Sequence, residues 1–337
     1  MTSVAPKPFK LAEFPLNPML RRLYPGGPLV VMYGNEGGGT RKTTGIVNTA
    51  VELAKLGLKV GLGDGDQTMA ASTYLGYGVT NRKIYPNRTT EIFTQLAARP
   101  NIFDVVMKRA SLLDAMVPAR TRVVPVKLDA AGNAVDTVEQ WDRDECFEVI
   151  PNLHLILGSR DMAHASDEIK SQKVSDLHWL RRSIQDLPAD TLDVVLLDSR
   201  GTFDTLELSE LGAADYVVGC VKPDPKDDDT LHGLKAIIDR AQEVFEFSGG
   251  AAALRYILFN GHVTNRGRFY VDMWEEIRAF YDSMVLPFIS ENVQVAEGVK
   301  AQEPVRFYMA GQDQKVVEQF TSVAQVIKRD VELHKAA

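Results

Sequence analysis

The stretch from Leu29 to Gly45, LVVMYGNEGGGTRKTTG, decides the fold of this chain. Its first five residues form a continuous apolar run, as expected of a strand in a parallel sheet buried on both faces. A glycine-rich turn follows. Ile46, Val47, Ala50, Val51 and Ala54 then recur at helical spacing over Thr43 to Leu56, and Gly57 stands where a C-cap glycine belongs. Strand, glycine loop and helix in that order are what a polyphosphate needs. Glycines let backbone N–H groups face the anion, and the helix N-terminus adds positive potential. Lys42 is placed to reach the β- and γ-phosphates and the Thr43 hydroxyl to bind Mg2+. The strict pattern G-x-x-x-x-G-K-[ST] is not met, because Glu36 and Arg41 occupy its two glycine positions. The competing reading is a plain glycine-rich turn before a helix.

Working outward, KVGLG (Lys59 to Gly63) reads as the next strand and closes a βαβ unit whose crossover is right-handed. Further strands are expected at Leu153 to Leu157, Val194 to Leu197, Tyr216 to Val221 and Tyr256 to Phe259. Helical patterns separate them, clearest at Leu231, Leu234, Ile237, Ile238, Ala241, Val244 and Phe245. Alternation of this kind predicts an α/β fold: a doubly wound, mostly parallel sheet with helices on both faces and ligands beyond the carboxyl ends of the strands. Residues 1–28 are punctuated by proline, carry Lys7, Lys10, Arg21 and Arg22, and read as an arm on a single domain spanning 29–335. Residues 79–146 read as an insertion, with helices around Thr90 to Ala98 and Phe103 to Ala115 and a hairpin turning at AAGN.

Two further features stand at strand ends. Asp64-Gly-Asp66 puts carboxylates at alternate positions just past the second strand, where both can face a metal-bound phosphate and its attacking water; a turn rich in Asp is the bland alternative. LDVVLLDSRG ends an apolar strand on Asp198, the pattern of a Walker B aspartate holding Mg2+, with Gly201 placed for its N–H to sense a γ-phosphate. Each is common by chance, whereas three in this order at the ends of strands in one sheet are not.

Composition limits the alternatives. With 38 Lys+Arg against 45 Asp+Glu the net charge is −7, so contact with nucleic acid requires a local basic patch. Cys146 and Cys220 cannot form a disulfide framework or, with dispersed histidines, a zinc site, which fits a cytoplasmic chain. No stretch approaches 18 apolar residues, and neither an export signal nor a membrane span is expected. In the last helix Val316, Phe320, Val323 and Ile327 share a face that packs on the sheet. Its opposite face mixes Glu318, Asp330 and Glu332 with Lys328 and Arg329, which argues against a membrane-surface helix.

The segment NEGGGTRKTTGIVNTAVELAKLGLKVGLGDGDQ resembles the deviant Walker A region of the ParA/Soj/MinD group of P-loop ATPases, of the SIMIBI type. The likeness continues through AASTYLG, NLHLILGSRDMAHASDEI, VVLLDSRGTFDTLELSELGAADYVVGCVKPD and LPFISENVQVAEGVKAQEPV, closest to the plasmid and chromosome partition branch. The resemblance implies that Gly37, Gly38, Gly39, Thr40, Arg41, Lys42, Thr43 and Thr44 cradle the phosphates of ATP. It further implies that Lys42 and Asp66 are catalytic, Asp66 positioning the attacking water, and that Thr43, Asp64 and Asp198 hold Mg2+. By the same likeness Asn260, Pro287 and Phe288 lie near adenine. The implied activity is slow ATP hydrolysis in a homodimer, or a higher oligomer, assembled on ATP. That dimer binds DNA without sequence preference, works with a ParB-like DNA-binding adaptor and associates with the nucleoid, with no membrane partner. DNA contact would fall to Arg266, Arg268, Lys300, Arg306, Lys315, Lys328 and Arg329, although scattered cations of this kind are as often a solvated face.

The chain also departs from the family. The family's second loop lysine is replaced by Gly37, the glycine before the catalytic lysine is Arg41, and the prolines after Asp66 and after the Walker B aspartate are missing. One expectation is that Arg41 substitutes for the lost cation, since a guanidinium can clamp phosphate oxygens with two bonds. These departures keep a second function open: a nucleotide-binding scaffold with little hydrolysis that positions a conjugation, secretion or other cargo complex. A metabolic relative of the nitrogenase iron protein is disfavoured, since its cluster-ligating cysteines are absent.

Overall fold

The computed structural model describes residues 9–16, 23–35, 39–78, 94, 96–124, 146–171, 177–202, 204–222, 227–262, 268–308 and 314–336. The strands are β1 (Leu29–Gly34), β2 (Val60–Asp64), β3 (Met116–Arg122), β4 (Phe147–Ile156), β5 (Val194–Asp198), β6 (Tyr216–Val221), β7 (Ala253–His262) and β8 (Ile289–Ser290). The principal helices are α1 (Lys42–Lys55), α2 (Ala70–Tyr74), α3 (Ile102–Val106), α4 (Ala165–Ser171), α5 (Trp179–Gln185), α6 (Thr205–Ala213), α7 (Asp227–Val244), α8 (Arg268–Tyr281), α9 (Val293–Ala301) and α10 (Gln314–Ala336).

The strands hydrogen-bond in the order β3-β4-β2-β5-β1-β6-β7-β8, and among them β3 alone runs antiparallel to its neighbour. The α/β, doubly wound reading therefore holds. Side chains alternate across the sheet. Leu29, Val31, Tyr33, Val60, Leu62, Val194 and Leu196 face a layer built by α1, α2 and α10. Val30, Met32, Val195 and Leu197 face a second layer that includes α4, α5, α6 and α7. Both faces of β1 and β5 are fully buried, which is why their sequences are unbroken apolar runs. Each such side chain contributes about 1.5–3 kcal/mol by leaving water.

Local chemistry sets the helix ends. Asp204 starts α6 by accepting from the Leu206 and Glu207 amides at 2.9 and 3.1 Å. Asn101 and Asp104 form a reciprocal capping box at the start of α3. The expected helix from Phe103 to Ala115 ends after Val106, because Lys108 turns left-handed at φ 57° and the Arg109 and Ala110 amides fold back onto the Asp104 carbonyl. Most of the expected insertion, including the start of the Thr90 helix, the AAGN turn and much of its flanks, lies outside the described residues; the end of that helix is present, with Thr94, Leu96 and Ala97 helical and the Ala98 amide donating to the Thr94 carbonyl at 3.2 Å. Within it, however, residues 116–122 are not separate from the domain: β3 pairs with β4 and forms the sheet edge.

The arm also joins the domain where it is described. Leu23 and Tyr24 are buried; the Leu23 amide donates to Asp215 Oδ1 at 2.9 Å and the Tyr24 hydroxyl to the Ala213 carbonyl at 2.6 Å. Phe9, Leu11 and Phe14 pack on the α1/α10 layer. Val316, Phe320, Val323 and Ile327 are buried, as their shared face predicts. Asp330, expected on the opposite, polar face of this helix, is instead buried: the Arg255 guanidinium donates from Nε to its Oδ2 at 3.1 Å and from Nη2 to Oδ1 at 3.0 Å, tying α10 to β7 inside the core.

Candidate active site

The site lies at the carboxyl ends of β1, β2 and β5. In the parallel register Asp64 stands directly opposite Asp198, and Tyr33, just before the glycine loop, is the other neighbour of Asp198. Both carboxylates are buried. Asp64 is oriented from α2: its Oδ2 accepts from the Ser72 amide and hydroxyl, each at 2.7 Å. Gly158 presses on the same group, leaving no room for a side chain, since a Cβ there would stand 2.8 Å from Asp64 Oδ2.

The remaining carboxylate oxygens are unsatisfied. Asp64 Oδ1 and both oxygens of Asp198 are buried with no hydrogen-bond partner among the described residues. Burial pushes Asp64 up to about 6, against the pull of its Ser72 bonds. Burial and then the Asp64 charge push Asp198 up to about 8; the Thr43 hydroxyl, near it without closing a hydrogen bond, and the Lys42 ammonium pull the other way. Bare buried carboxylate oxygens are costly unless they meet a cation. Two carboxylates beside a threonine hydroxyl fit Mg2+, which binds through one or two carboxylates plus substrate phosphates rather than an all-protein cage.

The first turn of α1 completes the site. Lys42 is buried and its Nζ donates to the Asn35 carbonyl at 3.5 Å. Thr43 and Thr44 follow in the same turn. Thr40 is buried with its hydroxyl unpartnered, and Gly39 is left-handed at φ 89°. Gly37 and Gly38 lie outside the described residues. Asp66 is half-buried, its Oδ1 accepting from the Thr68 amide at 2.8 Å. Gly201 is buried just past β5.

Arg41 caps α1 in a left-handed conformation, φ 60° and ψ 30°, where a glycine would be unstrained. Its Nη2 pairs with Glu291 Oε1 at 2.9 Å. Asn260 is buried and its Nδ2 donates to the Arg41 carbonyl at 2.9 Å, so the side chain read as a base contact also supports the loop. Pro287 and Phe288 lie between α8 and β8, with Phe288 edge-on to Trp274 at 5.4 Å. Sequence reasoning missed Glu291, Ser72 and Asn35. Each is a polar residue with no pattern of its own and acquires a role only from the element opposite it.

The cations expected to meet DNA divide. Arg306 forms a two-pronged pair with the buried Glu52 of α1, its Nε donating to Oε1 at 2.6 Å. Arg329 donates to the Phe14 and Pro15 carbonyls, each at 2.8 Å, and Lys328 to the Leu56 carbonyl at 3.3 Å. These three are half-buried and engaged within the chain. Lys300 and Lys315 are exposed. Arg266 lies outside the described residues, and Arg268 begins α8. No described helix is long and apolar enough to cross a membrane.

Comparison with known proteins bears on this geometry. A family model for an AAA domain matches residues 29–248. No curated protein sequence matches the chain. Among solved structures, a plasmid partition protein from Borrelia burgdorferi bound to AMPPNP is 14% identical with a TM-score of 0.62, covering 90% of this chain and 99% of that one. The ATP complex of McdA from Cyanothece is 14% identical with a TM-score of 0.63, over 90% of this chain and 97% of that one. The septum site-determining protein MinD from Pyrococcus horikoshii, complexed with Mg-ADP, is 19% identical with a TM-score of 0.59, over 91% and 98%. At these identities the likeness establishes the fold.

Proposed function

Because the chain belongs to the AAA domain family and has the fold of the ParA and MinD ATPases, we propose that it is a Mg2+-dependent ATPase of the ParA type that partitions plasmid or chromosomal DNA. The observation that carries this reading is the facing pair Asp64 and Asp198, buried at adjacent strand ends with three unpartnered carboxylate oxygens beside Lys42. The AMPPNP, ATP and Mg-ADP named for the structural relatives support ATP and Mg2+ as its ligands.

In this reading Gly37 to Thr40 present backbone amides to the phosphates, Lys42 neutralises the β- and γ-oxygens, and Gly201 meets the γ-phosphate through its N–H. Thr43, Asp64 and Asp198 would hold Mg2+. Bound Mg2+ supplies neutralisation of phosphate charge. Asp66, held by the Thr68 amide, orients the attacking water. ATP favours a homodimer that binds DNA without sequence preference, in the cytoplasm and on the nucleoid, and a ParB-like adaptor accelerates turnover. Phosphate release with Mg2+, measured with and without DNA, tests this. Turnover that DNA or an adaptor raises, and that Asp66→Ala abolishes while ATP binding persists, is expected; turnover unchanged in Asp66→Ala refutes the assignment.

Two observations favour a second reading, a nucleotide-binding scaffold for non-DNA cargo. Arg306, Lys328 and Arg329 are spent inside the chain, and Gly37 replaces the lysine that would cross a dimer. Tight ATP retention with no DNA stimulation would select it.

A further inference from the structure

Arg41 and Lys42 are consecutive cations that leave the start of α1 toward different parts of the sheet. Lys42 turns to Asn35, at the end of β1, and its charge acts on Asp198 at the end of β5. Arg41 turns the other way. Its carbonyl is held by Asn260 at 2.9 Å, its guanidinium crosses Gly261, and its Nη2 reaches Glu291 Oε1 at 2.9 Å. The crossing is close enough that a Cβ on Gly261, itself at φ 96°, would stand 2.6 Å from Arg41 Nη1. All three anchors belong to the ends of β7 and β8, whereas both metal-facing carboxylates lie on β2 and β5, on the far side of β1. A nucleotide with its phosphates on the head of α1 and its metal at Asp198 therefore directs its nucleoside toward β6, β7 and β8.

We propose that Arg41 contacts the nucleoside part of the nucleotide rather than its phosphates, and that Glu291 is the positioning residue that keeps it there. The inference rests on the nucleotide reading above. A planar guanidinium offers five donors in a fixed fork, suited to ring nitrogens and ribose hydroxyls and to stacking on a base. Glu291 supplies the fixed acceptor that holds the fork at the β7–β8 edge, and Gly261 supplies the space. Arg41 accordingly does not replace the loop cation missing at position 37.

Calorimetric titrations with Mg–ATP and with Mg–tripolyphosphate, which carries the phosphates without a nucleoside, test the proposal. In Arg41→Gly, a change that suits the left-handed backbone, ATP binding is expected to weaken about tenfold while tripolyphosphate binding stays within about twofold. Glu291→Gln, which leaves Arg41 in place but unanchored, should lose ATP affinity selectively as well. Arg41→Lys, which keeps the charge but loses the fork, should resemble Arg41→Gly. Equal weakening of both ligands in Arg41→Gly would put Arg41 on the phosphates and overturn the proposal, as would ATP affinity unchanged in both Arg41→Gly and Glu291→Gln. Wild-type protein that binds neither ligand would instead overturn the nucleotide reading, and the proposal with it.

Discussion

Asp198 carries the largest electrostatic tension among the candidate metal ligands, and its protonation makes that tension measurable. Its pKa is pushed to about 8 and that of Asp64 to about 6, so the folded protein holds protons that the unfolded chain releases near pH 4. Stability from these groups is fully present below about pH 4 and declines as pH rises, the Asp64 share ending near 6 and the Asp198 share near 8. Thermal melts of metal-free protein between these limits should fall with rising pH more steeply in the wild type than in Asp198→Asn. Parallel profiles would mean that Asp198 is not held protonated. Gly158 offers a second test at this scale. A Cβ in Gly158→Ala would meet Asp64 Oδ2 at 2.8 Å and Ser72 Oγ at 3.0 Å. Displacing an oriented ligand in this way should weaken Mg2+-dependent nucleotide binding about 10–100-fold. A titration that leaves the affinity unchanged would remove the orienting role of Ser72.

At the scale of elements, α1 does two jobs. Its first turn presents Lys42 and Thr43, and its fourth turn carries Glu52, buried against Arg306 and Thr321. The Arg306 side chain is one-third exposed and Glu52 almost fully enclosed, so removing the cation strands a buried carboxylate that, among the described residues, Thr321 alone still serves. Arg306→Ala should therefore cost about 2–3 kcal/mol in denaturant unfolding, below the usual range for a fully buried pair because water reaches the guanidinium. A variant as stable as the wild type would return Arg306 to the surface. The same clamp joins α1 to α10 through Thr321, so the element that presents Lys42 and Thr43 is braced at its far end by the C-terminal helix.

For the whole molecule, net charge and the placement of individual cations bear on the proposed DNA contact. Arg306, Lys328 and Arg329 are engaged within the chain, and the other cations proposed for DNA are Arg266, Arg268, Lys300 and Lys315. If each contacts one phosphate, the log–log dependence of DNA affinity on salt has a slope no steeper than about −3.6 per protomer. Binding isotherms over a salt series check this; a steeper slope requires cations elsewhere, and a flat one removes DNA as a partner.

The order of strands and helices, the burial of β1 and β5 on both faces, and the meeting of Lys42, Asp64 and Asp198 at one end of the sheet were determined by the amino-acid sequence. Each depends on short-range pattern, either an apolar run, a helical period or a residue at a strand end. The edge strand β3 was not legible, because MVPARTR is only half-buried and its pairing depends on β4, some thirty residues on. Tertiary structure alone decided which cations face solvent and which are spent on Glu52, Asp330 or the arm, since a charge shows no partner until the chain brings a distant carboxylate or carbonyl within about 3 Å. The direction of Arg41 belongs to the same class. Its left-handed backbone belongs to the position where the phosphate-loop pattern has a glycine, but Glu291, Asn260 and Gly261 are at least 219 positions away, and only the folded sheet brings them to it.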